Sequence, residues 1–275
     1  VTPLLERLGL PADAKAVVLV CDGLGSSNAA NLGVYQALRD GIATTACLQV
    51  PSPWARGAAA DYQGEDVGVA LTLNSEFDTY RWGPITHGSS LLDGDGGFPR
   101  TVTDVWDHAD VEEARRECRA QLERAILWGF DVSHLDAHLG AVYGRPEFFD
   151  IYLDLAVEYR LPASLPDPSV DLGFPARDLT AEEGILVPDR VVSVPLPAES
   201  RTIVTVAVRD LVAGVTELHV RPAVDTPELR AITPSWSARV GDAHLVTHDN
   251  SFKNALTKAG ATLISYRDIR AAQRS

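Results

Sequence analysis

The sequence predicts an α/β protein folded as a distorted or incomplete (β/α) barrel. Short β-branched or apolar runs alternate with longer amphipathic segments, which is typical of βα units and a mostly parallel sheet. No repeat, low-complexity tract or Gly/Ser linker divides the 275 residues, so we expect 1–275 to form a single domain. Six or more βα units also allow an open doubly wound sheet, and periodicity alone does not choose between the two.

The elements follow from local patterns taken in chain order. The run AVVLVC at 16–21 predicts a buried first strand. The helix at 111–128 is well marked, because Asp110 and Glu113 resemble a capping box and Gly129 supplies a stop. By the same patterns, further strands are predicted at 42–50, 67–73, 130–135, 215–220 and 261–265, and further helices at 27–39, 54–62, 146–159 and 251–259.

One long segment, 76–108, interrupts this alternation. It is rich in Gly, Pro, Asp and aromatic residues and is too long for a simple connection in a compact domain. Long loops are usually functional or disordered, and aromatic residues argue against disorder. We therefore predict a lid or substrate wall in which Tyr80, Arg81 and Trp82 contact the substrate, with a structural flap as the alternative.

Composition excludes several classes of partner. With 24 Lys+Arg against 38 Asp+Glu the net charge is -14, which provides no field for nucleic acid or an anionic membrane. Cys21, Cys47 and Cys118 are few, odd in number and set in apolar contexts, so we expect free thiols and a cytoplasmic protein. No apolar run approaches the ~18 residues of a membrane span. A small molecule or an oligosaccharide is the expected substrate, and a homo-oligomer is compatible with the sequence.

Two segments place candidate catalytic groups at strand ends. Asp22 directly follows the first strand, where α/β sheets and barrels assemble active sites, although a turn or capping role is equally open. In the segment 133–138, a strand's two-residue period puts His134, Asp136 and His138 on one face. His134 and His138 are then roughly 13 Å apart, too far to share one metal ion. We expect His138 to face the site with Asp136 near it, and His134 to lie deeper.

Glu76 and Arg221 are weaker candidates at the ends of later strands. Glu76 could be an acid, a substrate-binding group or a carboxylate at the loop entry. Arg221 could bind a carboxylate or a hydroxyl-rich ligand. We include both among the predicted substrate contacts. The sequence has no Gly-x-Ser-x-Gly elbow, P-loop or His-Glu-x-x-His motif, which argues against serine hydrolases, P-loop NTPases and zincin proteases.

Several separated motifs together resemble the YdjC-like carbohydrate deacetylase family. They are CDGLG at 21–25, GVALTL at 68–73, HLDAH at 134–138 and GVTEL at 214–218, the last leading to Arg221-Pro222. The resemblance covers most of the chain. It implies a distorted (β/α) barrel that removes acetyl groups from N-acetylated sugars with a divalent metal, zinc or magnesium.

The resemblance also assigns roles, and this chain departs from some of them. Asp22 takes the position of the general base and His138 that of a metal ligand. Gly23 and Ala70 stand where the family has an Asp and a His that bind the metal. Arg221 stands where a late His commonly precedes Pro. Catalytic zinc usually keeps three protein ligands, so replacement ligands such as Asp136 or Glu76 would be needed.

Three functions remain open from the sequence. The first is a metal-dependent sugar N-deacetylase in which Asp22 and Asp136 are catalytic. The second is an impaired family member that binds a sugar without turnover. The third, a metal-free glycosidase or other hydrolase, would use Asp22 and Glu76 as paired carboxylates about 5–10 Å apart.

Overall fold

The computed structural model describes residues 3–194 and 200–275. Within them, seven strands form one sheet in the order β4-β3-β2-β1-β6-β5, with β7 also paired to β1, and every neighbouring pair is parallel. The strands are β1 (Lys15–Leu24), β2 (Thr45–Leu48), β3 (Val67–Leu71), β4 (Val132–Ala137), β5 (Arg190–Val192), β6 (Gly214–Val220) and β7 (Ala261–Leu263).

The sheet curls into a distorted (β/α) barrel, as predicted. An irregular segment lies against the edge strand β4, because Ala163 pairs with Leu135 of β4 and its N–H donates to the carbonyl of Leu186, which precedes β5, at 3.1 Å. β1 is the centre of the sheet and pairs with three other strands.

Helices follow most strands. They are α1 (Leu4–Arg7), α2 (Asn28–Arg39), α3 (Ala55–Asp61), α4 (Val102–His108), α5 (Val111–Leu127), α6 (Pro146–Tyr159), α7 (Ala176–Glu182), α8 (Ser200–Arg209), α9 (Pro227–Ile232), α10 (Trp236–Thr247), α11 (Asn250–Lys258) and α12 (Tyr266–Arg274). Among the described residues, none of the helices combines the length and the apolarity that crossing a bilayer requires.

Alternation along β1 separates the two sides of the sheet. Val17, Leu19 and Cys21 pack with the core that includes α2 and α5. Val18 and Val20 point the other way and pack with residues of α1 and α12, including the fully buried Tyr266. Asp22 continues the second set, because side chains two residues apart share a face. The inner face of the barrel is therefore apolar at its base and polar at the carboxyl ends of its strands.

The predicted long loop is structured and is attached to α5 by hydrogen bonds. It contains α4 and a short 3-10 turn, Ser89–Leu91. The buried carboxylate of Glu117 accepts hydrogen bonds from the N–H groups of Ile85 and Thr86, at 3.1 and 2.9 Å. Asp110 caps α5 by accepting the N–H of Glu113. The side chain of Glu113 does not complete the predicted capping box, because it accepts hydrogen bonds from the N–H and the hydroxyl of Ser90 in the loop.

Candidate active site

A cavity of about 470 Å³ opens at the carboxyl edge of the sheet. This volume falls within the range of small-molecule sites. Five of the eight predicted site residues line it, namely Asp22, Glu76, Asp136, His138 and Arg221. The structure thus brings together residues from β1, β4, β6 and the start of the long loop.

Tyr80, Arg81 and Trp82 lie behind the cavity wall. The Tyr80 hydroxyl donates to the carbonyl of Ser26 at 2.9 Å, and the Trp82 indole N–H donates to the carbonyl of Asn74 at 3.0 Å. Arg81 forms an ion pair with Asp93 inside its own loop. These bonds fix the loop entry, from which Glu76 and Phe77 reach the cavity. Direct contact of Tyr80, Arg81 and Trp82 with substrate remains a prediction.

Three ionisable side chains lie in a row, namely Asp22, His219 and Glu217. Nδ1 of His219 lies 3.0 and 3.1 Å from the two carboxylate oxygens of Asp22. Nε2 of the same ring lies 3.0 Å from Oε1 of Glu217, which is fully buried. Burial opposes the charge on His219, but the two carboxylates outweigh it and raise the pKa of His219 well above its usual value. The same pairing outweighs burial at Asp22 and lowers its pKa.

Asp136 lies beside Asp22 and His219, and its pKa is shifted in the opposite direction from that of Asp22. Burial, together with the charges of Asp22 and Glu217, raises the pKa of Asp136 to about 7. Its Oδ1 accepts the N–H of Ala137 at 2.7 Å. One ligand atom from each of Asp22, Asp136 and His219 lies within 4.8 Å of the others.

His138 forms the opposite part of the floor. It follows β4 and begins a short 3-10 turn, and its ring lies 2.9 Å from Nε2 of Gln49 and 3.0 Å from Oε2 of Glu76. The interaction with His138 outweighs burial and lowers the pKa of Glu76. His134 lies deeper, as its position on the strand predicts. Its ring stacks on Tyr266 at a centroid distance of 3.7 Å.

Sequence reasoning missed His219 and Arg239. The signal for His219 was present, because Glu217, His219 and Arg221 alternate with Leu218 and Val220 along β6, a pattern that puts three polar side chains on one face. Arg239 gave no such signal. It lies on α10, and only the packing of that helix brings it to the cavity.

Two of the positions that the resemblance assigns to the metal carry Gly23 and Ala70 in this chain. Gly23 and Ala70 have no ligand atom in their side chains, and the ring nitrogens of His138 face Gln49 and Glu76, as those of His219 face Asp22 and Glu217. The cluster of Asp22, Asp136 and His219 does fit a divalent cation chemically, since carboxylate and imidazole are common ligands of zinc and carboxylate suits magnesium. Glu217 stands behind His219, as an orienting carboxylate does behind a ligating histidine.

Comparison with known sequences identifies relatives along nearly the whole chain. The family model described as YdjC-like protein matches residues 16–258. A carbohydrate deacetylase of Thermus thermophilus is 39% identical over 251 residues, which is 89% of this chain and 90% of the relative. A carbohydrate deacetylase of Geobacillus stearothermophilus is 31% identical over 189 residues, covering 63% of this chain and 73% of the relative.

A solved structure shares the fold. The crystal structure of a protein described as a cellobiose-phosphate cleavage protein, from Enterococcus faecalis V583, matches with a TM-score of 0.80 over 93% of this chain and 99% of that chain. The identity is 21%, so this likeness concerns the fold alone. The family match and the Thermus relative together establish that the chain belongs to the YdjC-like family.

Proposed function

We propose that this chain is a carbohydrate deacetylase-like hydrolase that removes an acetyl group from an N-acetylated sugar. The observation that carries the proposal is the cluster of Asp22, Asp136 and His219 on the floor of a cavity of about 470 Å³. Two observations support it: the curated relatives are named carbohydrate deacetylases, and the cluster lies at the carboxyl ends of the strands, where barrels bind their substrates.

A divalent metal, zinc or magnesium, belongs to this proposal. Asp136, His219 and one oxygen of Asp22 would hold it. When bound, such an ion polarises the acetyl carbonyl and bears the charge that develops on its oxygen.

Asp22 is suited to the role of general base. Its pKa is lowered, so the carboxylate is ionised at neutral pH, and its side chain is 23% exposed toward the cavity. It can therefore accept a proton from an attacking water. His219 fixes the orientation of Asp22, and Glu76 with His138 holds the opposite side of the floor.

A second candidate, sugar binding without turnover, is favoured by a separate observation. Gly23 and Ala70 have lost the donors of the family positions, and His138 is engaged on both ring nitrogens. In this case the cavity keeps its shape and its polar wall, and the hydrolytic step is absent.

One experiment separates the candidates. The protein is incubated with N-acetylated chito-oligosaccharides in the presence of zinc, magnesium or EDTA, and the loss of acetyl groups is followed by mass spectrometry. We expect metal-dependent release that falls about 100-fold or more in Asp22→Asn, because a general base contributes about 10²–10⁴-fold. Asp150→Asn, at an exposed residue of α6, is the matched control. Sugar binding without release under any condition would favour the second candidate, and absence of binding would contradict both.

A double variant tests the assignment of the lost ligands. Gly23→Asp with Ala70→His should raise zinc affinity at least tenfold if these positions correspond to the family's ligands. Gly23 has φ +90°, so an Asp there is strained and folding of the variant is checked first by circular dichroism. Ala70→His alone, which adds no such strain, should raise the affinity in the same direction. Unchanged affinity in both variants would contradict the assignment.

A further inference from the structure

Glu217 on β6 is a fully buried carboxylate that lies behind the cavity floor and does not line the cavity. Its Oε2 accepts hydrogen bonds from the hydroxyl of Tyr266 at 2.9 Å and from the hydroxyl of Ser164 at 3.0 Å. Its Oε1 lies 3.0 Å from Nε2 of His219. One oxygen of Glu217 is therefore anchored by two hydroxyls, while the other faces the ring that contacts Asp22.

Tyr266 reaches this carboxylate from the last helix of the chain. Ser265 begins α12 with a capping box, in which its side chain and that of Asp268 each accept a backbone N–H of the other residue. Tyr266 follows as the first residue of the helix, and its fully buried ring stacks on His134 at a centroid distance of 3.7 Å. Burial and then the charge of Glu217 raise the pKa of Tyr266 well above its usual value, so the hydroxyl keeps the proton that it donates.

Ser164 reaches the same oxygen from a different part of the chain. Its backbone N–H donates to the carbonyl of Leu135 on β4 at 2.9 Å, which attaches it to the edge of the sheet. Ser164 and Tyr266 are 53 and 49 residues away from Glu217 along the chain, respectively. A strand and a capped helix thus hold the two donors independently, and two separate anchors restrict rotation of the carboxylate.

We propose that Tyr266 and Ser164 are positioning residues for the cavity floor and that they act through Glu217. The inference rests on the proposed deacetylase function and adds two residues to it. Because Oε2 is anchored, Oε1 is directed at His219 and holds that ring against Asp22. Partners that orient a ligating side chain from behind typically contribute about 10–100-fold to metal affinity or activity.

Tyr266→Phe tests the proposal, because it removes the hydroxyl and keeps the ring that stacks on His134. Release of acetyl groups from N-acetylated chito-oligosaccharides gives kcat and KM, and calorimetry gives the Kd for zinc. We expect kcat to fall about tenfold or more, KM to stay within about twofold, and the Kd for zinc to rise about tenfold. Tyr35→Phe is the matched control, because the buried hydroxyl of Tyr35 donates to the carbonyl of Ala58 at 2.6 Å and Tyr35 does not line the cavity.

Both substitutions remove one buried hydroxyl, so a merely structural role predicts the same result for both. Equal kcat values and equal zinc affinities in the two variants would therefore overturn the proposal. A rise in KM without a fall in kcat would also overturn it, because that result indicates lost substrate binding rather than lost positioning.

A second comparison shows whether Tyr266 acts through Glu217. Glu217→Gln removes the charge that faces His219 and should lower kcat by itself, once circular dichroism has shown that the variant is folded. Tyr266→Phe added to Glu217→Gln should change kcat by less than about threefold, because substitutions that break one shared contact are not additive. Ser164→Ala should lower kcat in the wild type and have the same small effect in Glu217→Gln. A full further tenfold loss in the double variants would contradict the proposal.

If the wild type releases no acetyl group, the proposed function fails, and the positioning role is tested on the His219 ring itself. The ring signals of isotope-labelled histidine are followed by NMR without metal, and those of His219 are identified by their loss in His219→Gln. We expect Tyr266→Phe to shift the His219 signals and Tyr35→Phe to leave them in place. Unshifted signals in Tyr266→Phe would show that its hydroxyl does not position this ring.

Discussion

The pKa values of two imidazoles inside the same barrel are shifted in opposite directions. His134 on β4 is fully buried and His219 on β6 is 6% exposed. Burial lowers the pKa of His134 to about 3, whereas the carboxylates of Asp22 and Glu217 outweigh burial and raise the pKa of His219. His134 contacts Tyr266, Ser133 and Cys47, and among the described residues no carboxylate is bonded to its ring.

This contrast shows that neighbouring charge, rather than depth, distinguishes the cavity floor of the barrel from its packing core. Desolvation disfavours a charged imidazole at both positions, and only the carboxylates on either side of His219 reverse it. The carboxylates on either side of its ring therefore distinguish His219, which lines the cavity, from the packed His134.

The largest effect is expected from His219→Gln. The substitution leaves Asp22 and Glu217 facing each other without a cation, which should lower the free energy of unfolding by about 3–5 kcal/mol. His134→Gln removes a neutral ring and should cost about 1–3 kcal/mol. Urea denaturation at neutral pH measures both.

A double variant tests the cause. Asp22→Asn added to His219→Gln removes one of the unpaired carboxylates, so the double variant should be more stable than His219→Gln alone by about 1–2 kcal/mol. Equal costs for the two single histidine substitutions would contradict the contrast between the rings.

Packing around His134 predicts the next effect. A Cβ at Gly68 of β3 would lie 2.3 Å from Nδ1 of His134, and the ring cannot move because it stacks on Tyr266. Gly68→Ala should therefore cost about 3 kcal/mol, at the upper end of overpacking effects. His134→Ala in the same chain should recover part of this loss. Gly241→Ala, where nothing lies within 4 Å, should be neutral or stabilising.

The sequence predicted the parts of the site that depend on one strand. The rise per residue along 133–138 predicted that His134 lies deeper than His138, and in the structure His134 is fully buried on β4 while His138 follows β4 and lines the cavity. The predicted strand at 42–50 was too long. Ile42 donates instead to the carbonyl of Val246, which is a tertiary contact.

The partners of His219 could not be predicted in the same way. Asp22 and His219 are 197 residues apart and meet only because the register of β1 and β6 pairs Val20 with His219. Arg239 reaches the cavity through the docking of α10, a helix without a clear apolar stripe. Register and helix docking are properties of the folded chain, and periodicity does not encode them.

The pH dependence of stability sharpens the contrast further. His134 has a pKa of about 3 in the folded protein, below the usual 6.5. Between these two pH values the unfolded chain therefore binds one proton more than the folded protein. Stability from this residue is complete above about pH 6.5 and falls as the pH drops, by about 1.4 kcal/mol per unit. Between pH 6 and pH 4, His134→Gln should reduce the slope of the free energy of unfolding against pH by the equivalent of one proton. Urea denaturation at several pH values measures this slope. His87→Gln, at an exposed histidine, should leave it unchanged.

The smallest effect is expected from a substitution of Trp82, which packs near His138. The ring of His138 is held by hydrogen bonds to Gln49 and Glu76 and by this packing. Trp82 packs near its ring, at a centroid distance of 6.3 Å, and the indole N–H holds the carbonyl of Asn74. Trp82→Phe keeps most of the ring and loses this bond, so stability should fall by about 1 kcal/mol. Sugar affinity should fall by about threefold, equivalent to roughly 0.7 kcal/mol, because Glu76 and Phe77 shift with the loop entry. Trp128→Phe is the control, since Trp128 does not line the cavity. Equal affinities in the two variants would show that the loop entry does not position the floor of the site.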